Sequence, residues 1–151
     1  MQWLTRALRR RSERGAVAVE FALICIPFIV LIFGLIQYGW YFYVSSTTSG
    51  AASNVARRLE VGDCWGGTQA HELARLESPY VVDLPDGLTI TDGAGNPVGL
   101  ATATAGVTQI RVTLKADANI VGFLPVPNGG MVTRTVQARL EDKEPSTAPC
   151  P

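Results

Sequence analysis

The chain has 151 residues, 47% of them apolar, and a formal net charge of zero. Five arginines and one acid lie in the first fifteen residues, whereas eleven acids and eight basic residues follow Val44. Apart from the apolar segment described next, about 100 residues remain, which we expect to form one small domain and no more.

An unbroken apolar run dominates the N-terminal third. Residues 21–36 carry no polar side chain, and only Glu20 and Gln37 interrupt the apolar character on either side. A helix needs roughly 20 residues to cross a bilayer core. The segment from Phe21 to Tyr43 therefore predicts a membrane-spanning helix, since a helix of a soluble domain is rarely apolar all round for this length.

The basic residues before this run predict its orientation. Lys and Arg next to a membrane helix stay on the cytoplasmic side. We therefore interpret the cluster as a topology signal rather than a nucleic-acid site, with the N-terminus in the cytoplasm and the C-terminal domain outside. The residues concerned are Arg9, Arg10, Arg11 and Arg14.

The junction between the basic leader and the helix has a specific pattern. Gly15 ends the leader, the apolar segment Ala16 to Val19 follows, and Glu20 lies five residues after the glycine. The segment Ala18-Val19-Glu20-Phe21-Ala22-Leu23 resembles the TadE-like family, the minor pilins (pseudopilins) of tight-adherence, Flp-type type IV pili. The resemblance continues through Pro27, Phe33-Gly34 and Tyr38-Gly39, and more loosely to Ala56-Arg57-Arg58.

The resemblance implies a processing site and an assembly residue. A prepilin peptidase would cut after Gly15 and leave Ala16 as the new N-terminus. Glu20, next to Phe21, would then pair with the free amine of a neighbouring processed chain. The residues alone leave a second interpretation open, in which Glu20 is an interfacial acid that favours the positive N-terminal end of a helix.

Beyond the membrane segment, the helical pattern continues as a stalk. Trp40, Tyr41 and Tyr43 are typical of an aromatic belt at the outer membrane interface. Apolar and small residues then recur at three- and four-residue spacing, which predicts a helix to about Leu59, ending before Gly62. These residues form one apolar stripe along the helix, and the stripe requires a packing partner, either the chain's own C-terminal domain or another subunit. The stripe consists of Val44, Thr48, Ala51, Ala52, Val55 and Leu59.

Two cysteines lie beyond the membrane segment. On the predicted topology, Cys64 and Cys150 face an oxidising compartment, where thiols tend to pair. A Cys64–Cys150 bridge would close most of the exported domain into one loop. Two free thiols, or bridges to another chain, are the alternatives.

The remaining chain predicts an α+β domain. Thr68 to Ser78 indicates a short helix followed by Pro79, and residues 92–97 are dense in turn formers. Alternating patterns predict strands at Leu88 to Thr91, Ile110 to Lys115 and Met131 to Leu140. We expect three or four antiparallel strands packed on the stalk. Arg134 shares the apolar face of the last strand, which predicts a bulge or an exposed edge there.

The predicted organisation has four segments. They are a leader at 1–15, cleaved after Gly15, a transmembrane and stalk helix at 16–60, a small exported α+β domain at 61–144 and a polar tail at 145–151. The apolar loop from Ile120 to Pro127 either contacts the membrane or another subunit, or covers the edge of its own core.

The sequence offers little for catalysis. His71-Glu72 begins like a zinc-protease motif, but His71 is the one histidine in the chain, so we expect a solvated helix residue. The glycines between residues 93 and 99 do not open a helix and are turn glycines, not a phosphate cradle. We therefore expect no enzyme, no metal and no cofactor.

Our first hypothesis is accordingly structural. The resemblance implies a minor pilin of the bacterial inner membrane whose partners are membrane lipid, a prepilin peptidase, and other pilin and pilus-assembly subunits. We expect neither a nucleic acid nor a small-molecule substrate. The alternative is an unprocessed single-pass protein whose outer domain binds a partner at the cell envelope.

Overall fold

The computed structural model describes the backbone of residues 2–99, 107–120, 122 and 124–140, with side chains from residue 15 onward. The described elements are two helices, a three-stranded sheet and one 3-10 turn, which confirms the predicted α+β class. They are α1 (Gln2–Glu60), α2 (Gly67–Glu77), β1 (Leu88–Asp92), β2 (Gln109–Asp117), the turn Pro127–Gly130 and β3 (Met131–Arg139).

Helix α1 confirms the predicted C-terminal boundary but begins earlier than the sequence pattern indicated. It ends at Glu60, where Gly62 has a φ of 87° and the Asp63 amide donates to the Arg58 carbonyl at 2.9 Å. This is the left-handed end that glycine accommodates without a steric penalty. At the other end the helix already includes the basic leader. A single glycine costs a helix only about 1 kcal/mol, so Gly15 does not interrupt it.

The chain forms two compact units, Met1–Tyr38 and Gly39–Pro151. In the first unit the described residues form a single helical segment. The second unit contains the outer part of α1, then α2 and the sheet, and we call its described residues the head. The four predicted segments, with their cleavage point and tail, stay a prediction.

Helix α2 lies within one residue of its predicted position. Its first turn follows Gly66, and its end is marked by the Ser78 amide, which donates to the Ala74 carbonyl at 2.8 Å. Ala70 and Ala74 are buried and Leu73 packs against them, as the predicted apolar face requires.

The sheet has the order β1-β2-β3 with antiparallel neighbours. The strand alternation is confirmed in β2, where Ile110, Val112, Leu114 and Ala116 are buried on one face. The β2–β3 ladder runs without interruption from Gln109–Arg139 to Asp117–Met131. Of the bulge or exposed edge predicted at Arg134, the exposed edge is therefore the one observed. Arg134 is exposed, and its Nη2 donates to the Ser45 hydroxyl of α1.

The head's own sheet and α2 cover the outer stripe of α1. All six predicted stripe residues are buried, and Thr48 donates to the Val44 carbonyl at 2.7 Å while its hydroxyl lies 3.3 Å from that of Ser78. Of the two packing partners that the sequence allowed, the chain's own domain is thus the one observed. The main core includes Val55, Leu59, Trp65, Leu88, Val112 and Leu114.

A second, smaller core cluster lies at the N-terminal end of the stripe. It joins Val44 to Ala116, Ala118 and Val132, with Ile120 packed against it. The first residue of the apolar loop thus covers its own core, while Val121 and Phe123 lie outside the described residues.

Candidate functional site

The inner part of α1, which we define as Val17 to Ile36, presents an exposed apolar surface. The helix is long and apolar enough to cross a membrane. Phe21 is 70% exposed and Leu35 is 68% exposed. Other large exposed side chains of the segment are Val17, Val19, Leu23, Ile24, Ile26, Phe28, Leu31 and Ile36. So large an apolar surface requires lipid or other protein chains around it.

Glu20 is a lone carboxylate on this surface. Its side chain is exposed, and the helix neighbours at three and four residues are Ala16, Val17, Leu23 and Ile24. An ionised carboxylate at the centre of a bilayer costs up to about 3 kcal/mol on insertion scales and less near an interface. The helix dipole acts most strongly in the first turn of a helix. Since α1 begins at Gln2, Glu20 lies far from that turn.

Gly15 and Ala16 are exposed residues within the helix. A Cβ atom built at Gly15 would meet nothing within 4 Å. Packing within the described structure therefore does not require glycine at this position. The four arginines of the topology signal lie in α1, but their side chains are outside the described residues.

Three aromatic rings meet where α1 enters the head. The Trp40 and Tyr43 ring centroids lie 5.7 Å apart, and Tyr80 packs edge-on against both at 5.5 and 6.2 Å. The Trp40 indole Nε1 donates to the Ala118 carbonyl at 2.9 Å. The sequence indicated Trp40 and Tyr43 as an aromatic belt but gave no signal for Tyr80, which is far away in the chain. That the belt lies at a membrane interface stays a prediction.

The cysteines have different surroundings. Cys64 is fully buried, with a φ of 62°, whereas Cys25 is half-exposed and free. Cys150 lies outside the described residues, so the Cys64–Cys150 bridge stays a prediction.

The expectation of a solvated His71 is wrong. His71 is only 6% exposed, and its Nε2 donates to the Val82 carbonyl at 2.7 Å. Gly87 allows this approach, because a Cβ at Gly87 would overlap the Val82 carbonyl oxygen and lie 3.0 Å from His71 Nε2. Histidine at this position thus joins α2 to the segment before β1. Within the described part of the chain, no three metal-binding side chains come together.

The predicted turn after β1 is stabilised by one carboxylate. Asp92 accepts hydrogen bonds from the backbone amides of Ala94 and Asn96, both at 2.8 Å, and from the Asn96 side-chain amide at 3.0 Å. These bonds, with the Asn96 side chain contributing most, lower the pKa of Asp92 below its usual 3.8.

Comparison with known proteins gives one match. A family described as TadE-like protein matches residues 15–57, which comprise the apolar segment and most of the stalk. This match confirms the resemblance drawn from the sequence. No curated protein and no solved structure matches the chain.

Proposed function

We propose that this chain, whose helix is TadE-like over residues 15–57, is a minor pilin (pseudopilin) used in assembly of a tight-adherence type IV pilus. A prepilin peptidase removes the leader after Gly15. The protein is anchored in the bacterial inner membrane with its N-terminus in the cytoplasm, and α1 then packs against other pilin and pilus-assembly subunits.

The observation that carries the proposal is the family match, which starts at Gly15 itself. The geometry at Gly15 supports it, because the space around this glycine is open and packing gives no reason for it. A protease that accepts only a residue without a side chain supplies such a reason.

The position of Glu20 supports the assembly step. Cleavage after Gly15 creates a free amine on Ala16, four residues before Glu20 and on the same side of the helix. It also shortens the helix so that Glu20 comes close to a positive N-terminus. An amine from a neighbouring processed chain, placed at this level, offsets the cost of a carboxylate on an apolar surface.

The exposed apolar surface of α1 supports a role that continues after membrane anchoring. Lipid covers the surface in the membrane, and helices of other subunits cover it in a filament. No catalytic group is required for this function, and residues 44–59 of α1 share a core with the sheet and α2.

The decisive experiment is the intact mass and N-terminal sequence of the protein from membranes of its native host. We expect a mature chain that begins at Ala16. Gly15→Leu should abolish this product and leave the chain starting at Met1. Gly50→Leu is the matched control, because a Cβ at the exposed Gly50 also meets nothing within 4 Å.

An intact Met1 start in cells that process their other pilins would overturn the processing step. It would favour the unprocessed, membrane-anchored binding protein. A chain that is cleaved equally in the Gly15→Leu variant would place the cut elsewhere.

A second experiment separates assembly from processing. Glu20→Gln should be cleaved normally but should no longer cross-link to other pilus subunits or appear in sheared pili. Glu72→Gln, the same change at an exposed carboxylate of α2, should keep both properties. Normal incorporation of Glu20→Gln would contradict the proposed pairing with an amine.

A further inference from the structure

The outward face of the sheet carries a polar groove that the proposed function does not use. It has a volume of about 390 Å³ and lies at the end of the sheet where β1 and β3 finish and β2 begins. Its lining includes Gln109, Arg111, Gln137, Arg139 and Gly93. The volume falls within the range of small-ligand pockets, which starts at roughly 300 Å³.

The strand register explains how these groups come together. Gln109 pairs with Arg139, and Arg111 pairs with Gln137, so each arginine has a glutamine directly opposite. Diagonal positions on two such rungs are about 7–8 Å apart. Two guanidinium groups and two amides therefore surround one small space.

Within the described residues, no carboxylate pairs with the two arginines of the groove. Among the residues that the structure describes, neither Arg111 nor Arg139 forms an ion pair, whereas Arg75 on α2 pairs with Asp83 at 2.6 Å. Asp92, which precedes Gly93, already accepts bonds from Ala94 and Asn96. Two like charges on neighbouring rungs repel each other, and a bound anion removes this repulsion.

Next to the groove, the same face is rich in hydroxyl groups. Thr89, Thr113 and Thr135 form one row across the three strands, and the Thr113 and Thr135 hydroxyls lie 3.0 Å apart. Lys115 continues the basic face one rung beyond Thr113 on β2. Hydroxyl and amide groups exchange hydrogen bonds with sugar hydroxyls, and an arginine fork matches a carboxylate.

We infer that this groove binds a carboxylated sugar unit of an acidic polysaccharide. Arg111 and Arg139 bind its carboxylate, and Gln109 and Gln137 bind hydroxyls of the same ring. A single-stranded nucleic acid is disfavoured, because stacking on aromatic rings carries much of its binding and the described lining contains no aromatic residue. The inference does not rest on the proposed pilin function, since it concerns the head alone.

The test uses the full chain in nanodiscs of zwitterionic lipid and measures its affinity for trigalacturonate. We expect binding that weakens as salt increases, and little or no binding of the neutral galactotriose. The double variant Arg111→Gln/Arg139→Gln should lose affinity by about tenfold or more, because two charge-assisted contacts are removed. Arg111→Lys/Arg139→Lys should restore only part of it, since an ammonium keeps the charge but lacks the fork.

The matched control is Arg57→Gln/Arg75→Gln, which removes two positive charges from the helices, outside the groove lining. We expect its affinity to stay within about twofold of the original chain at moderate salt. Far-UV circular dichroism and a melting curve verify that each variant folds.

Three results would overturn the inference. The first is an equal loss of affinity in the control variant, which would indicate general electrostatic attraction. The second is equal or tighter binding of triglutamate or of a single-stranded trinucleotide, which would assign the groove to an acidic peptide or to a nucleic acid. The third is no binding of trigalacturonate to the folded original chain at low salt.

Discussion

The inner and outer parts of α1 are both apolar, but they meet their burial requirement in different ways. From Val17 to Ile36 the large apolar side chains are exposed around the helix, and Leu35 is 68% exposed. From Val44 to Leu59 a single stripe is buried under the sheet and α2, and Leu59 is 0% exposed. The two parts belong to one continuous element, Gln2–Glu60.

The comparison teaches that the distribution of apolar residues around a helix, more than their number, indicates what covers it. A segment that is apolar on all sides has no face for water and requires lipid or other helices. A stripe leaves the other faces polar and needs only one partner, which this chain supplies itself. The following predictions test the difference, beginning with the largest expected effect.

The largest difference between the two parts should be in how a cysteine substitution changes the free energy of unfolding. Cys150→Ser should lower the free energy of unfolding of the head by about 4–5 kcal/mol, because a Cys64–Cys150 bridge would close a loop of most of the head. Cys25→Ser, in the inner part, should leave it unchanged. Denaturant unfolding followed by circular dichroism measures both. Equal stability of Cys150→Ser and the original chain would exclude the bridge.

The same leucine truncation should have opposite outcomes in the two parts. Leu59→Ala creates a cavity in the main core and should cost the head about 2–5 kcal/mol. Leu35→Ala should have no effect on the head, since Leu35 is exposed on the inner part. Hydrogen exchange of the β2 amides in detergent micelles reports the difference. If the β2 amides are equally protected from hydrogen exchange in both variants, the packing of the stripe is not as described.

Trp40→Phe tests the boundary between the two parts. The substitution keeps an aromatic ring beside Tyr43 and Tyr80 but removes the bond from Nε1 to the Ala118 carbonyl. The expected cost is about 1 kcal/mol, the usual net value of one hydrogen bond. Phe42→Leu, at a strongly exposed neighbour, is the control and should be neutral in the same unfolding experiment.

The smallest effect concerns the turn after β1 and depends on pH. The pKa of Asp92 is lowered in the folded chain, so its ionised form stabilises the fold. This contribution to the free energy of unfolding is complete above the unfolded pKa of 3.8 and is lost as the pH falls through the folded pKa. The amide resonances of Ala94 and Asn96 should therefore shift in this acid range. In Asp92→Asn the same resonances should not titrate. An unchanged titration in that variant would assign the transition to another group.

The sequence predicted the fold where one periodic pattern was sufficient. The alternation of Ile110, Val112 and Leu114 predicted the central strand, and the stripe ending at Leu59 predicted both the length of the stalk and its burial. These features depend on local spacing and on the burial of apolar surface, which a sequence displays directly.

Tertiary contacts between distant polar residues could not be predicted in this way. The burial of His71 depends on the Val82 carbonyl and on the space left by Gly87, and Arg134 keeps its place in the β2–β3 ladder while its Nη2 donates to the Ser45 hydroxyl of α1. The groove between Arg111 and Arg139 depends on the β2–β3 register, which alternation alone does not define. The proposed roles of Gly15 and Glu20 come from the family resemblance and stay predictions.

The position of His71 provides an intrinsic spectroscopic probe. It is the one histidine in the chain, so its imidazole carbon-bound protons give a single, unambiguous set of signals. Its ring lies between α2 and the segment before β1, within the packed head. Those signals therefore report, without any label, whether the head keeps its packing when the protein moves from detergent to bilayer or from bilayer to filament.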